Sequence, residues 1–238
     1  MVICVEAVPS TSRRMPSVSF KVNAEYGRLT ELVPGLFICG VSAINEDMLK
    51  QYNFSYIINA TSEVPNFRMY GRTPRVKLWL DDTLDACIYH HFDLQSDQIQ
   101  QIISQGGRVL VHCLAGVSRS ASICLAYLTK YVCRSLRESY NLMNIKRPRV
   151  RPNLGFWKQL IKFEEDIKGT PASITLLKDD AQEGGLLPDV YCKLASIRTE
   201  NSTVDAESKK EYRVRHYSGQ KKFHPVLEPL LEVVEATA

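Results

Sequence analysis

The stretch that most constrains this chain is 108–131, RVLVHCLAGVSRSASICLAYLTKY. Gly106-Gly107 precedes Arg108-Val109-Leu110-Val111, a short apolar run behind a turn signal, which predicts a buried strand. From Ser118 onward, Ala121, Ile123, Cys124, Leu125, Ala126 and Leu128 are apolar nearly all round, which predicts a buried helix. Between them, His112-Cys-Leu-Ala-Gly-Val-Ser-Arg119 separates a cysteine from an arginine by five residues. A tight strand-to-helix loop leaves successive backbone N–H groups unpaired at the positive end of the helix dipole, a nest for a dianion such as a phosphoryl group. Leu114, Ala115, Gly116, Val117 and Ser118 would supply that nest, with Gly116 letting the backbone approach closely. Arg119 can grip two oxygens with its planar fork.

The same positive field favours a thiolate at Cys113, so nucleophile and oxyanion cradle coincide. Ser120 is placed to donate a hydrogen bond to the departing sulfur, and His112 braces the loop, since a thiolate needs no base. HCLAGVSRSAS resembles the phosphate-binding loop of the dual-specificity protein phosphatases, within the cysteine-based phosphatase superfamily. The likeness runs from about Tyr26 to about Ile167. RPNLGFWKQL (151–160) and LPDVY (187–191) are similar to segments of small atypical members, the subgroup numbered fourteen, eighteen and twenty-one.

The resemblance implies an α/β, protein-tyrosine-phosphatase-like fold, with a central mixed sheet flanked by helices. It also implies phosphorylated protein substrates carrying phosphotyrosine and phosphoserine or phosphothreonine, hydrolysed through a phosphocysteine without cofactor or metal. An asparagine matching Asn153 would brace the active-site loops. The general acid is not fixed by composition: Asp81, Asp82 and Asp85 all lie in a loop after a predicted strand at 76–80, a mobile segment able to close over the phosphate. The family pattern, laid on Phe92 and Cys113, puts the acid at Asp82, with Asp81 one residue away and Asp85 suited to capping the next helix.

Along the chain, residues 1–25 mix Pro, Ser, Thr and basic residues and read as a flexible arm. Within it, Arg13-Arg14 followed by Val18-Ser19-Phe20 resembles peptides that dock phosphatases onto mitogen-activated protein kinases. Strands are predicted at 29–33, 36–39, 56–59 and 76–80, and helices at 45–51, 86–104, 135–145 and 154–167. The loop 61–73 carries Phe67, Met69 and Tyr70, which could pack or meet substrate. Lys146, Arg147, Arg149 and Arg151 are either charges suited to a helix C-terminus or a positive rim for acidic substrates. The catalytic domain is expected over 26–168 and a largely disordered extension over 169–238, which is charged and poor in large aliphatics between 193 and 222.

Seven cysteines without a CxxC pair point to a reducing compartment, cytoplasmic or also nuclear, rather than to disulfides or zinc. A net charge of +4 does not argue for nucleic acid, and no apolar run reaches the length of a membrane span. Three other functions share parts of the motif. An inositol-lipid or RNA-end phosphatase would carry cations inside the loop, where Leu114 and Val117 stand. A non-catalytic phosphate module would lack nucleophile, arginine or acid. A sulfur-transfer domain would not need Ser-Arg-Ser.

Overall fold

The computed structural model describes residues 27–178 and 185–192 in full, and the backbone of β1 (Val2–Val5) and β2 (Val18–Lys21). The core is a five-stranded mixed sheet of β3 (Thr30–Val33), β4 (Leu36–Gly40), β7 (Val109–Cys113), β5 (Tyr56–Asn59) and β6 (Arg75–Lys77), in that spatial order. β3 is antiparallel to β4, and every other neighbouring pair is parallel. β7 lies in the middle, with Leu36 beside Val109 on one flank and Tyr56 beside Val109 on the other. All five of its residues are buried, as a central parallel strand covered on both faces requires.

Side chains alternate across the sheet with period two. Ile38, Ile58, Val109 and Val111 face the main core, built with four helices, whereas Phe37, Cys39, Ile57 and Leu110 face a smaller cluster with Met48 and Phe54. The four are α2 (Tyr89–Ser104), α3 (Arg119–Tyr127), α4 (Leu136–Lys146) and α5 (Leu154–Lys168); α1 (Glu46–Tyr52) covers the other face. Every residue of α3 is buried among β7 and the other three helices. Each of its large aliphatics contributes about 1.5–3 kcal/mol by leaving water. Asn45, Ser135 and Asn153 cap α1, α4 and α5 by accepting from Met48, Glu138 and Phe156 N–H groups.

Several boundaries differ from the sequence reading, among them the start of α2, expected at 86 and found at Tyr89. The strand expected at 76–80 stops at Lys77: the Leu78 N–H to Asn59 O bond is the last rung to β5, which itself ends at Asn59. Within 1–25, read as a flexible arm, β1 and β2 pair antiparallel, Val2 beside Lys21; both segments are rich in strand-forming residues. Arg13-Arg14 and residues 193–238 lie outside the described residues.

Beyond 168 the packed domain continues, a correction of the expected boundary. β8 (Leu176–Lys178) pairs antiparallel with β9 (Leu186–Pro188), and Ile174 and Val190 join the main core. The buried indole of Trp157 donates to the Tyr191 hydroxyl at 2.7 Å, Arg137 pairs with Asp189 at 2.6 Å, and Arg151 lies 4.7 Å over the Tyr191 ring. The buried Glu164 accepts from Leu136 N–H and from Ser173. A tail that satisfies buried polar groups of the helices belongs to the domain.

Tyr191→Ala should therefore lower stability by about 2–4 kcal/mol, through lost packing and an orphaned Trp157 N–H. Tyr191→Phe should cost about 1–2 kcal/mol, through the orphaned donor alone. Urea unfolding of the full chain measures both, and a Tyr191→Ala midpoint equal to wild type would place the tail outside the cooperative unit.

Candidate active site

Cys113 ends β7 and is almost wholly buried. The loop from there to α3 is held from behind through its carbonyls. Leu114 O accepts from Val41 N–H at 3.0 Å, Ala115 O from Arg147 Nη2 at 3.2 Å, Gly116 O from Arg147 Nε at 2.7 Å and Val117 O from Arg151 N–H at 3.0 Å. With four successive carbonyls turned outward, their N–H groups are left to the concave side, since each backbone group must find its own partner. Gly116 takes φ +69°, and a Cβ there would lie 2.5 Å from Arg147 Nη2 and 2.6 Å from the Cys39 carbonyl carbon, so only glycine fits. Cys113 Sγ accepts from Gly116 N–H at 3.2 Å and from Ser120 Oγ at 3.1 Å, two donors that suit an anionic sulfur.

Arg119, the first residue of α3, is buried and has five N–H donors to place. Nη1 donates to Glu63 Oε2 at 2.7 Å and to Leu80 O at 3.0 Å, and Nη2 to Glu63 Oε1 at 2.7 Å. Nε has no hydrogen-bond partner and sits 3.7 Å from Asp82 Oδ2. Two donors of the fork, on Nε and Nη2, thus remain. Burial alone would lift the Glu63 carboxyl, but the hydrogen bonds and charge of Arg119 outweigh it and hold Glu63 below its ordinary range. For Arg119, burial pulls downward and Glu63 prevails, so the guanidinium is held still more firmly charged.

The three aspartates separate clearly. Asp82 Oδ1 accepts from Ser118 Oγ at 2.7 Å and Asn153 Nδ2 at 2.8 Å, leaving Oδ2 on the Arg119 side. Asp81 accepts from Ser62 Oγ, and Asp85 is exposed. In the loop expected to move over a ligand, Asp82 is tied to the phosphate loop through Ser118 and to α5 through Asn153. His112 is fully buried, and burial pushes its imidazole down to about 3, so it stays neutral while Nε2 meets the Tyr70 hydroxyl at 2.9 Å.

Glu63, Tyr70 and Arg147 are the participants missed by sequence reasoning. Tyr70 was read, with Phe67 and Met69, only as a loop residue that packs or meets substrate, without its bond to His112; Phe67 packs on Val41, Val64 and Leu114. Glu63 carries no local signal. Its loop is pinned by the buried Asn59, which donates to Val64 O at 2.8 Å and accepts from Thr61 Oγ1 at 2.6 Å. Arg147 belonged to the basic run read as a helix-end charge or a rim; it is instead buried beneath the loop, also bonded to Arg28 O and Thr30 Oγ1. Lys146, Arg149 and Arg151 are exposed. Among the described residues no group of three or more His, Cys, Asp or Glu could hold a metal ion, and no helix is long and apolar enough to cross a membrane.

Comparison with known proteins agrees with this geometry. The family described as dual specificity phosphatase, catalytic domain, matches residues 36–166. Mouse dual specificity protein phosphatase 14 is 39% identical over 170 residues, covering 71% of this chain and 83% of the relative. Human dual specificity protein phosphatase 21 is 37% identical over 165 residues, covering 69% and 84%. Among solved structures, a mouse putative dual specificity phosphatase complexed with zinc tungstate superposes with a TM-score of 0.56 at 27% identity, covering 67% of this chain and 94% of that one. Human DUSP28 gives 0.56 at 28% identity, covering 59% and 95%. A cysteine seated in an outward-anchored phosphate loop, on this sheet and with these relatives, is that of the dual-specificity protein phosphatases, the family to which the chain belongs.

Proposed function

We propose that the chain hydrolyses phosphomonoesters on tyrosine and on serine or threonine of proteins, with Cys113 as nucleophile, Arg119 as phosphate clamp and Asp82 as general acid. The observation that carries the reading is the set of four outward-held carbonyls behind Cys113, which leaves the loop N–H groups for three phosphoryl oxygens. The Nε and Nη2 donors of Arg119 complete that shell. The Cys113 thiolate attacks phosphorus, forming S–P as the ester P–O bond breaks, and Asp82 gives its proton to the leaving oxygen. Oδ1 is saturated with donors, so the proton travels from Oδ2. In the second step water attacks phosphorus, Asp82 takes its proton, and the thiolate departs toward Ser120 Oγ and Gly116 N–H. His112, neutral across the working range and held by the Tyr70 hydroxyl, braces the chain just before Cys113 and takes no proton. The mouse structural relative is complexed with zinc tungstate, and tungstate is an oxyanion of phosphate shape that suits the same kind of pocket.

Leu114 and Val117, mostly buried and apolar, argue for a single phosphoryl group over the polyanions of inositol lipids or RNA ends. We further infer that mitogen-activated protein kinases are among the substrates, on the likeness of Arg13-Arg14 and Val18-Ser19-Phe20 to a docking peptide. A reducing location, cytoplasmic or nuclear, suits the six free cysteines of the described residues.

Phosphate release from phosphotyrosine and phosphothreonine peptides and from inositol phosphates tests the substrate class. Cys113→Ser should abolish turnover on all of them by more than about 10³-fold. Asp82→Asn should lower kcat and kcat/KM together by about 10²–10⁴-fold for an alkyl or phenyl leaving group, and should lower kcat/KM far less for an activated aryl phosphate. Asp81→Asn giving that pattern, with Asp82→Asn silent, would move the acid by one residue.

Glu63→Gln should loosen Arg119 and reduce kcat/KM by about 10–100-fold, the equivalent of one charge-assisted hydrogen bond, and weaken inhibition by inorganic phosphate. Because the folded Glu63 carboxyl lies below its unfolded range, its stabilisation is full above the unfolded value and is lost as pH falls through the folded one. Wild type should therefore be more stable than Glu63→Gln at neutral pH and converge with it in acid; parallel curves would remove the ion pair from the account.

Arg13→Ala with Arg14→Ala should raise KM for a phosphorylated kinase and leave a small aryl phosphate unaffected. Equal kinetics on the kinase before and after would remove the docking role.

A further inference from the structure

The segment from Asp82 to Tyr89 contains the proposed acid and the entry to α2, and α5 meets it at three positions of its first turns. Asn153, the α5 cap, donates from Nδ2 to Asp82 Oδ1 at 2.8 Å and to Thr83 O at 3.1 Å. Gly155 lies so close to the loop backbone that a Cβ there would stand 1.9 Å from Leu84 O and 2.7 Å from its carbonyl carbon. Gly155 is the second residue of α5, and this close approach of the Leu84 backbone leaves no room for a larger side chain there. Gln159 donates from Nε2 to Ala86 O at 2.9 Å, and its Oε1 accepts from both Ile88 and Tyr89 N–H groups at 2.8 Å.

That last pair closes a gap in α2. Its cap position is Ile88, which has no side-chain oxygen, and α2 has no side-chain cap of its own. The orphan N–H groups of a helix start need an acceptor, and here another helix supplies one. The Gln159 amide thereby ties the far end of the acid loop, as Asn153 ties the near end. Gly155 sets how closely the middle can sit.

We propose that Gly155 and Gln159 are positioning residues which hold the acid loop against α5 and so fix Asp82 over the phosphate pocket before substrate arrives. The proposal rests on the reading of Asp82 as the acid. A carboxyl misplaced by about 1 Å can cost about 10²-fold in rate. The loop end of α5 therefore sets proton transfer, while Cys113 and Arg119, on β7 and α3, stay in place.

The test is the leaving-group dependence of full-length Gly155→Ala and Gln159→Leu, each alone and in an Asp82→Asn background. Both single variants should lose at least about 10-fold in kcat/KM on phenyl phosphate and less than about 3-fold in kcat/KM on 2,4-dinitrophenyl phosphate, because kcat/KM reports formation of the phosphocysteine and not its hydrolysis. The alkaline limb of the kcat/KM profile, which reports the protonated acid, should flatten in both. In the Asp82→Asn background neither change should lower phenyl phosphate turnover further. An equal loss on both esters, or an additive loss in that background, overturns the proposal and leaves a general packing role. If Gly155→Ala does not fold, Gln159→Leu alone decides it by the same ratio. An Asp82→Asn enzyme without leaving-group dependence would instead overturn the acid assignment on which the proposal stands.

Discussion

The site depends on a buried arginine that touches no reacting atom. Arg147 comes from the end of α4 and reaches two carbonyls of the phosphate loop, one of the chain before β3 and a hydroxyl on β3. Taking a guanidinium out of water is costly unless its donors are met, and burial indeed pulls Arg147 downward from the usual arginine range. Its several oxygen partners offset that cost and convert it into geometry. Two carbonyls are held rearward, Val41 and Arg151 backbone N–H groups hold the two beside them, and these bonds within the chain give the loop its concave face. The pocket is organised in advance, so ligand binding does not have to supply the ordering.

Charge is divided between the two arginines by their partners. Arg147 faces carbonyls and a hydroxyl in the bonds above, which fix shape. Arg119 faces carboxylates on Glu63 and Asp82, which leave part of its fork open while holding the rest rigid. A lysine at 119 could match neither the paired grip on Glu63 nor a second planar pair on the ligand, because its donors radiate from one nitrogen.

What could be read from the sequence was local. Strand β7, the loop and α3 share one continuous stretch whose hydrogen bonding and burial are written in consecutive residues, and Cys113, Gly116, Arg119 and Ser120 were legible there. Asp82 and Asn153 came from family spacing, and the structure brings their side chains together at 2.8 Å. Glu63 and Arg147 were not legible, because their roles exist only across separations of 56 residues to Arg119 and 31 to Gly116. The segment 170–192 was obscured for another reason. Its few anchors, Ile174, Val190 and Tyr191, are diluted by polar neighbours, and only the buried Trp157 indole explains why they matter. The end of β6 was misread because Leu78 and Leu80 continue the apolar pattern while the partner strand β5 has already ended at Asn59.

The order of the sheet carries a consequence for how the chain assembles. β4 and β5 are both made early, yet they do not pair; β7 lies between them, 73 residues after the start of β4. A chain emerging from the ribosome therefore holds two hydrophobic strands with facing open edges until residue 113 arrives and slides in as the wedge. Parallel pairing of such distant segments is intrinsically slow, because the loop entropy is spent before any contact rewards it. The strand that presents the cysteine is thus also the one that closes the sheet, so a chain with a half-formed core has no assembled phosphate pocket.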